Sequence, residues 1–180
     1  MGVYLNPKNK GFQEAIHSEI YVDKTGLIAC TNKCINTEAK FICVSRPRRF
    51  GKSMTLKMLA AYYSSNRNSA DLFKGLNIER DETFQKHLNH YDVIYLNMQQ
   101  FLIRAKKQEV TQYLEQVVIE ELRELYGEYF SERITILSEA LEKIYDKTDK
   151  PFIFLIDEWD CVMRERQESE ELHDDGSENV

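Results

Sequence analysis

The chain has 180 residues, of which 42% are hydrophobic and 30% charged, a composition that predicts one soluble globular domain with a buried core. No apolar run approaches the roughly 20 residues of a membrane helix, and the N-terminal MGVYLNPKNKGF lacks the apolar segment of a signal peptide. We therefore expect a cytoplasmic protein, and its net charge of −6 gives no sign of a general nucleic-acid-binding surface.

Three short apolar runs predict β-strands at FICVS (41–45), VIYLNM (93–98) and FIFLIDE (152–158). Each run is continuously apolar rather than alternating, which is typical of strands in a parallel sheet covered on both faces. Cys43 lies within the first run, so it is predicted to be part of the core.

Between these runs, apolar residues recur at helical spacing and predict helices over 52–65, 108–126 and 132–145. Strands that alternate with helices form βαβ units. The sequence therefore predicts an α/β layered fold, with a mainly parallel sheet flanked by helices.

The acidic charge is concentrated at the C-terminal end. Residues 164–180 contain seven acidic residues and two arginines, so this segment carries −5 and leaves −1 for the rest of the chain. A segment this acidic, with so few apolar residues, cannot bury enough surface to fold. We expect a domain over 1–163 and a disordered acidic tail over 164–180.

The stretch SRPRRFGKSMTL, residues 45–56, joins the first predicted strand to the first predicted helix. Its Gly51-Lys52-Ser53 matches the last three positions of the Walker A phosphate loop, G-x-x-x-x-G-K-[ST]. Arg46 stands at the position of the first glycine in that pattern. Backbone N–H groups and the helix dipole favour an anion at such a helix N-terminus. Lys52 would then reach the β- and γ-phosphates, Ser53 would bind Mg²⁺, and Gly51 would let the backbone approach closely.

The neighbouring loop residues have supporting roles. Phosphate-binding N–H groups are expected from Arg49 to Met54, a span that includes Phe50. Pro47 lacks an N–H, but the loss of one donor at that position is tolerable. Arg48 and Arg49 would add positive charge near the phosphates or, as an equal alternative, form a solvated or partner-facing basic turn.

The third predicted strand ends in Asp157 and Glu158, at the edge where ligands bind in open α/β sheets. Asp157 suits Mg²⁺, held directly or through water, and Glu158 suits the catalytic base that activates the attacking water, as in a Walker B motif. Alone, the pair would equally well be a helix N-cap. Together with the upstream loop, it favours a nucleotide site.

Four segments also occur in a recognisable order: YVDKTGLI (21–28), SRPRRFGKSMTLKML (45–59), LFKGLNI (72–78) and LIDEWD (155–160). In these segments the chain resembles the bacterial AAA-ATPase-like family of P-loop proteins, over residues 12–163, and RPRRFGKS is that family's own form of the loop. The resemblance implies ATP as the ligand and a YVDKT segment near the nucleotide. It makes Asp23 and Lys24 candidates for a nucleotide-side or domain-packing role, with a helix N-cap at Asp23 as an equal alternative.

Members of that family continue well beyond the DEWD motif, often into a PD-(D/E)XK nuclease-like domain, whereas 20 residues follow Asp160 here. In related ATPases the next strand lies between the acidic strand and the loop strand, and this chain has no candidate for it. We therefore expect a domain truncated after the Walker B motif, with unpaired strand edges.

Three functions follow from these observations. The first is the ATP-binding part of a Mg²⁺-dependent ATPase, with little hydrolysis on its own. The second is a non-catalytic module whose exposed strand edges pair with another chain or with a second copy. The third is nucleic-acid binding through RPRR, residues 46–49, which would weaken steeply with salt and has no support from the net charge.

Overall fold

The structure is a computed structural model, and it describes residues 2–45, 47, 49–65, 68–105, 108–161 and 163–164. The loop arginines Arg46 and Arg48 and residues 165–180 lie outside these ranges. The prediction of a disordered tail and the roles suggested for those two arginines therefore stay predictions.

Seven α-helices are described: α1 (Lys10–Ile16), α2 (Gly26–Asn32), α3 (Lys52–Tyr63), α4 (Phe84–His87), α5 (Met98–Ala105), α6 (Val110–Tyr126) and α7 (Leu137–Thr148). The predicted helices over 52–65 and 108–126 are confirmed as α3 and α6. Within the described part of the chain, no helix has the length and apolar character that crossing a bilayer requires.

The predicted helix over 132–145 begins later than expected, at Leu137 in α7. The Arg123 guanidinium donates hydrogen bonds to the carbonyl oxygens of Glu132, at 2.9 Å, and Ile134, at 2.6 Å. A helix that began at 132 would need those carbonyls for its own first turns. Ile136 is extended, so the helix begins only after it.

Two strands, β1 (Asp92–Asn97) and β2 (Phe152–Asp157), form a parallel pair, which confirms the second and third predicted strands. Their register places Asn97 opposite Asp157, so both strands end at the same edge of the sheet. The long connection between them contains α5, α6 and α7, as a parallel crossover requires.

The outer edge of β1 is covered by the N-terminal segment. Leu5 forms an antiparallel bridge with Ile94. The Asn6 N–H donates to the Val93 carbonyl, and the Tyr95 N–H donates to the Tyr4 carbonyl, both at 2.8 Å. This pairing satisfies backbone groups that an open sheet edge would leave exposed.

The two faces of the sheet are covered by different helices. Val93 and Leu155 belong to one hydrophobic cluster with the α3 residues Met58 and Leu59. The next residues along β1, such as Ile94, belong to a second cluster with residues of α6 and α7. This alternation explains why β1 is continuously apolar, and the helices on both faces of the sheet confirm the α/β layered fold. β2 is covered less completely on the second face, where Phe154 and Ile156 are 43% and 44% exposed.

The predicted strand over 41–45 is wrong for this structure. These residues have no strand assignment and are exposed; Phe41, for example, is 86% exposed. Cys43 is exposed as well, so its predicted place in the core is also wrong. A strand needs a neighbouring strand for its backbone groups, and apolar content alone does not provide one. Among the described residues, the only strand in the sheet beside β2 is β1.

Candidate functional site

The backbone changes from left-handed to right-handed where the loop meets α3. Arg49 has a φ of +69° and Gly51 a φ of +80°, both left-handed, and Lys52, directly after Gly51, begins the right-handed helix. Alternating left- and right-handed residues turn successive N–H groups toward one side and form a concavity that binds anions. The predicted loop from Arg49 to Ser53 thus has a backbone suited to phosphate.

The loop is attached to α3 at Gly51. The carbonyl oxygen of Gly51 accepts hydrogen bonds from both the N–H and the hydroxyl of Thr55, at 3.0 and 3.1 Å. Lys52 is half-buried and Ser53 is exposed. These contacts close the first helical turn and leave the Ser53 hydroxyl accessible to solvent.

At the other predicted position, Asp157 is buried, with 3% exposure, at the end of β2. One carboxylate oxygen accepts from the Tyr95 hydroxyl at 3.3 Å, and the other accepts from the Glu158 N–H at 3.1 Å. Burial, and then the Asp157 charge, raise the pKa of Tyr95, which keeps this hydroxyl protonated as a donor. The Asp157 carboxylate is thus held in a fixed position at the carboxyl edge of the sheet.

Glu158 has a φ of +53°, a left-handed conformation that is unfavourable for a residue with a side chain. Such residues often occur at functional sites. Its carboxylate lies 3.6 Å from the Arg164 guanidinium, which also lies 3.4 Å from Asp160. Asp160 directly precedes the helical turn at Cys161, so the N-cap position belongs to Asp160 rather than to the predicted pair.

A cleft of about 230 Å³ opens beside Gly51, between α1, residues 18–24 and the first turns of α3. Most of its lining is apolar or aromatic, and it includes Phe12, Tyr21, Val22, Lys24, Met54 and Met58. Pockets of this character typically hold the flat or apolar part of a small molecule, with a few polar groups that fix its orientation. We refer to it below as the α1–α3 cleft.

The structure brings the predicted site residues together only in part. Helix α3, which follows the loop, packs against β2, which ends in Asp157. Among the described residues, no hydrogen bond or ion pair joins Lys52 or Ser53 to Asp157 or Glu158. The connection between the two motifs is therefore the packing of the elements that carry them.

Tyr95, Arg164 and the α1–α3 cleft were not predicted from the sequence. Tyr95 contacts Asp157 because the register of the two strands places them at the same edge. The cleft is formed between residues 12–24 and residues 51–58, two stretches that are distant from each other in the sequence. Only the YVDKT segment, through its resemblance to family members, pointed toward this part of the molecule.

The family model described as predicted AAA-ATPase matches residues 10–179, which is nearly the whole chain. The match extends beyond the last of the four recognised segments, which ends at residue 160. No curated protein and no solved structure gives a significant match. The chain therefore belongs to the AAA-ATPase-like family of predicted AAA-ATPases.

Proposed function

We propose that this chain binds ATP together with Mg²⁺ at the loop before α3, as the nucleotide-binding part of an ATPase. The observation that carries the proposal is the left-handed Gly51 immediately before Lys52, the first residue of a right-handed helix. This geometry directs N–H groups toward an anion, and the lysine supplies a positive charge at the same place. Family membership supports nucleotide binding independently of that geometry.

Magnesium fits the oxygen atoms that the chain offers. Mg²⁺ is usually held by one or two carboxylates, water and the phosphates of its substrate. Asp157 provides a buried carboxylate and Ser53 an exposed hydroxyl, on two elements that pack together. In the described ranges no three His, Cys, Asp or Glu side chains are grouped as a metal site, so a cation would depend on the nucleotide for its other ligands. Bound there, the ion would offset the charge of the phosphates.

The α1–α3 cleft is the proposed position of the base. It lies beside Gly51, in the loop that we propose to bind the phosphates. Tyr21, Met54 and Met58 supply aromatic and polarizable surface. Such surface suits a flat heterocycle.

Glu158 is the proposed general base for ATP hydrolysis, and its ion pair with Arg164 bears on the rate. The Glu158 side chain would have to leave the Arg164 guanidinium before it could position a water molecule at the loop. We therefore expect the isolated chain to bind ATP but to release phosphate at less than about 1 s⁻¹, the lower end of ordinary enzymes.

Steady-state phosphate release from a monodisperse preparation at saturating Mg·ATP tests this expectation. Glu158→Gln is the matched control, because it removes the base and keeps the shape of the side chain. Turnover of about 1 s⁻¹ or faster that is lost in Glu158→Gln would contradict slow hydrolysis and assign the chain as a competent ATPase.

A second candidate function is pairing with another copy of the chain through the side of β2 on which no described residue forms a strand. On the face of the sheet next to that edge, Phe154 and Ile156 are 43% and 44% exposed. Exposed apolar residues beside an unpaired strand favour strand-to-strand association.

The measurement for this candidate is sedimentation velocity over a range of concentrations. We expect a dimer that dissociates in Ile156→Lys, whereas Ile103→Lys, on the exposed surface of α5, should leave it intact. A chain that stays monomeric at the highest concentration would refute the association.

A further inference from the structure

Asp23 and Lys24 are neighbours in the sequence, but their side chains make contacts in different parts of the molecule. Asp23 accepts hydrogen bonds from the Thr25 N–H and hydroxyl, at 2.8 and 2.7 Å, and from the Asn77 N–H at 2.8 Å. Burial alone would raise the pKa of Asp23, but these hydrogen bonds lower it below its ordinary value. Asp23 therefore anchors its segment to the turn at residue 77, and the N-cap of α2 is Thr25.

Lys24 extends instead to the phosphate loop. Its ammonium group donates a hydrogen bond to the Phe50 carbonyl oxygen at 2.9 Å. The same Nζ lies 3.0 Å from the position that a β-carbon on Gly51 would occupy. The segment that Asp23 anchors thus holds the Lys24 ammonium group against the loop backbone between Arg49 and Gly51, the two left-handed residues.

The geometry of the peptide bond determines what this contact does. The Phe50 carbonyl and the Gly51 N–H belong to one planar trans peptide unit, in which the two groups point in opposite directions. Because the carbonyl points at Lys24, the Gly51 N–H points away from it. The ammonium group therefore lies behind the loop, on the side opposite to the one that this N–H faces.

We propose that Lys24 is a positioning residue that orients the Gly51 N–H toward a bound phosphate, rather than a residue that contacts the phosphate itself. This inference rests on the proposed nucleotide site. The two lysines then have different roles. Lys52 supplies positive charge at the phosphate, and Lys24 fixes the direction of the Gly51 N–H.

The experiment uses Lys24→Met, which keeps the length of the side chain but removes the donor. Lys24→Arg keeps a charged donor and serves as the rescue. Lys33→Met, an exposed lysine at the end of α2, is the control for loss of one positive charge. Two quantities are measured for each full-length variant: the NMR signal of the Phe50 carbonyl carbon without ligand, and the affinities for Mg·ATP and magnesium tripolyphosphate.

We expect Lys24→Met to shift the Phe50 carbonyl signal and to weaken the binding of both ligands about fivefold to tenfold, an effect the size of one ordinary hydrogen bond. Lys24→Arg should restore both quantities, and Lys33→Met should change neither. Weaker binding without a shift of the carbonyl signal would mean that Lys24 contacts phosphate directly, and a shift without weaker binding would mean that the contact is only structural. Either result overturns the proposal.

The failure of the proposed function is a separate result. If the wild-type chain binds neither ligand, the nucleotide site itself is wrong, and the role of Lys24 in phosphate binding falls with it. If the wild-type chain binds both ligands and Lys24→Met binds them equally well, only the positioning role is wrong.

Discussion

Replacing Asp92 with alanine should lower the free energy of unfolding by about 3 kcal/mol or more. Asp92 is 1% exposed at the start of β1. Its carboxylate accepts hydrogen bonds from the Asn6 side-chain amide and the Ser65 hydroxyl, both at 2.7 Å, and from the Tyr126 hydroxyl. Removal of the carboxylate leaves these donors without that acceptor in the interior, where each unsatisfied group costs about 1–3 kcal/mol.

The loss of stability should be large because the hydrogen bonds of Asp92 connect β1 to three other parts of the chain, through Asn6, Ser65 and Tyr126. Asn6 also binds β1 through its side chain, since its amide oxygen accepts from the Val93 N–H at 2.9 Å. Asp92 therefore helps to hold the N-terminal segment along the outer edge of β1. Urea unfolding of Asp92→Ala measures the effect, with Asp146→Ala on the exposed side of α7 as the control. A change below about 1 kcal/mol for Asp92→Ala, within the range of ordinary substitutions, would contradict this account of the network.

Replacing Lys52 with alanine should weaken Mg·ATP binding at least about a hundredfold, which corresponds to roughly 2.7 kcal/mol. Lys52 is the first residue of α3 and follows the left-handed Gly51, so its charge lies at the anion-binding end of the helix. Loss of that charge removes the strongest single attraction that we propose for the phosphates. The fold should be unaffected, because Lys52 is only half-buried.

Titration calorimetry of wild type and Lys52→Ala measures this difference. Lys143→Ala is the control. Lys143 is exposed on α7, on the other side of the sheet, and its substitution removes one positive charge just as Lys52→Ala does. Equal affinity of Lys52→Ala and wild type would show that the loop does not hold the phosphates.

The sequence predicted the parts of the fold that depend on local pattern. The spacing of Val110, Leu114, Val117 and Val118 is enough to predict a helix in α6. The continuously apolar runs at β1 and β2 predicted strands buried on both faces, which is the arrangement found for β1, whereas β2 leaves Phe154 and Ile156 exposed on one face. The same rule failed at 41–45, because an apolar run forms a strand only where a neighbouring strand accepts its backbone hydrogen bonds. Whether such a neighbour exists is a property of the whole sheet.

In the candidate site, too, residues in local motifs could be predicted from the sequence, whereas contacts between distant residues could not. Gly51, Lys52 and Asp157 belong to motifs with fixed spacing, so they could be identified from the residues alone. The hydrogen bond from Tyr95 to Asp157 requires knowledge of the strand register, and the contact from Lys24 to Phe50 joins positions that are far apart in the sequence. The left-handed conformation of Arg49 also could not be predicted, because arginine has no preference for it.

The most direct test of the nucleotide site is amide hydrogen exchange of the wild-type chain with and without saturating Mg·ATP, with peptides that separate the loop from the rest of α3. The proposed site predicts slower exchange over residues 49–54, where the phosphates would be bound, and over residues 20–24, which border the α1–α3 cleft. It also predicts that this protection disappears in Lys52→Ala. Unchanged exchange in both segments at a saturating nucleotide concentration, or protection confined to another part of the chain, would contradict it.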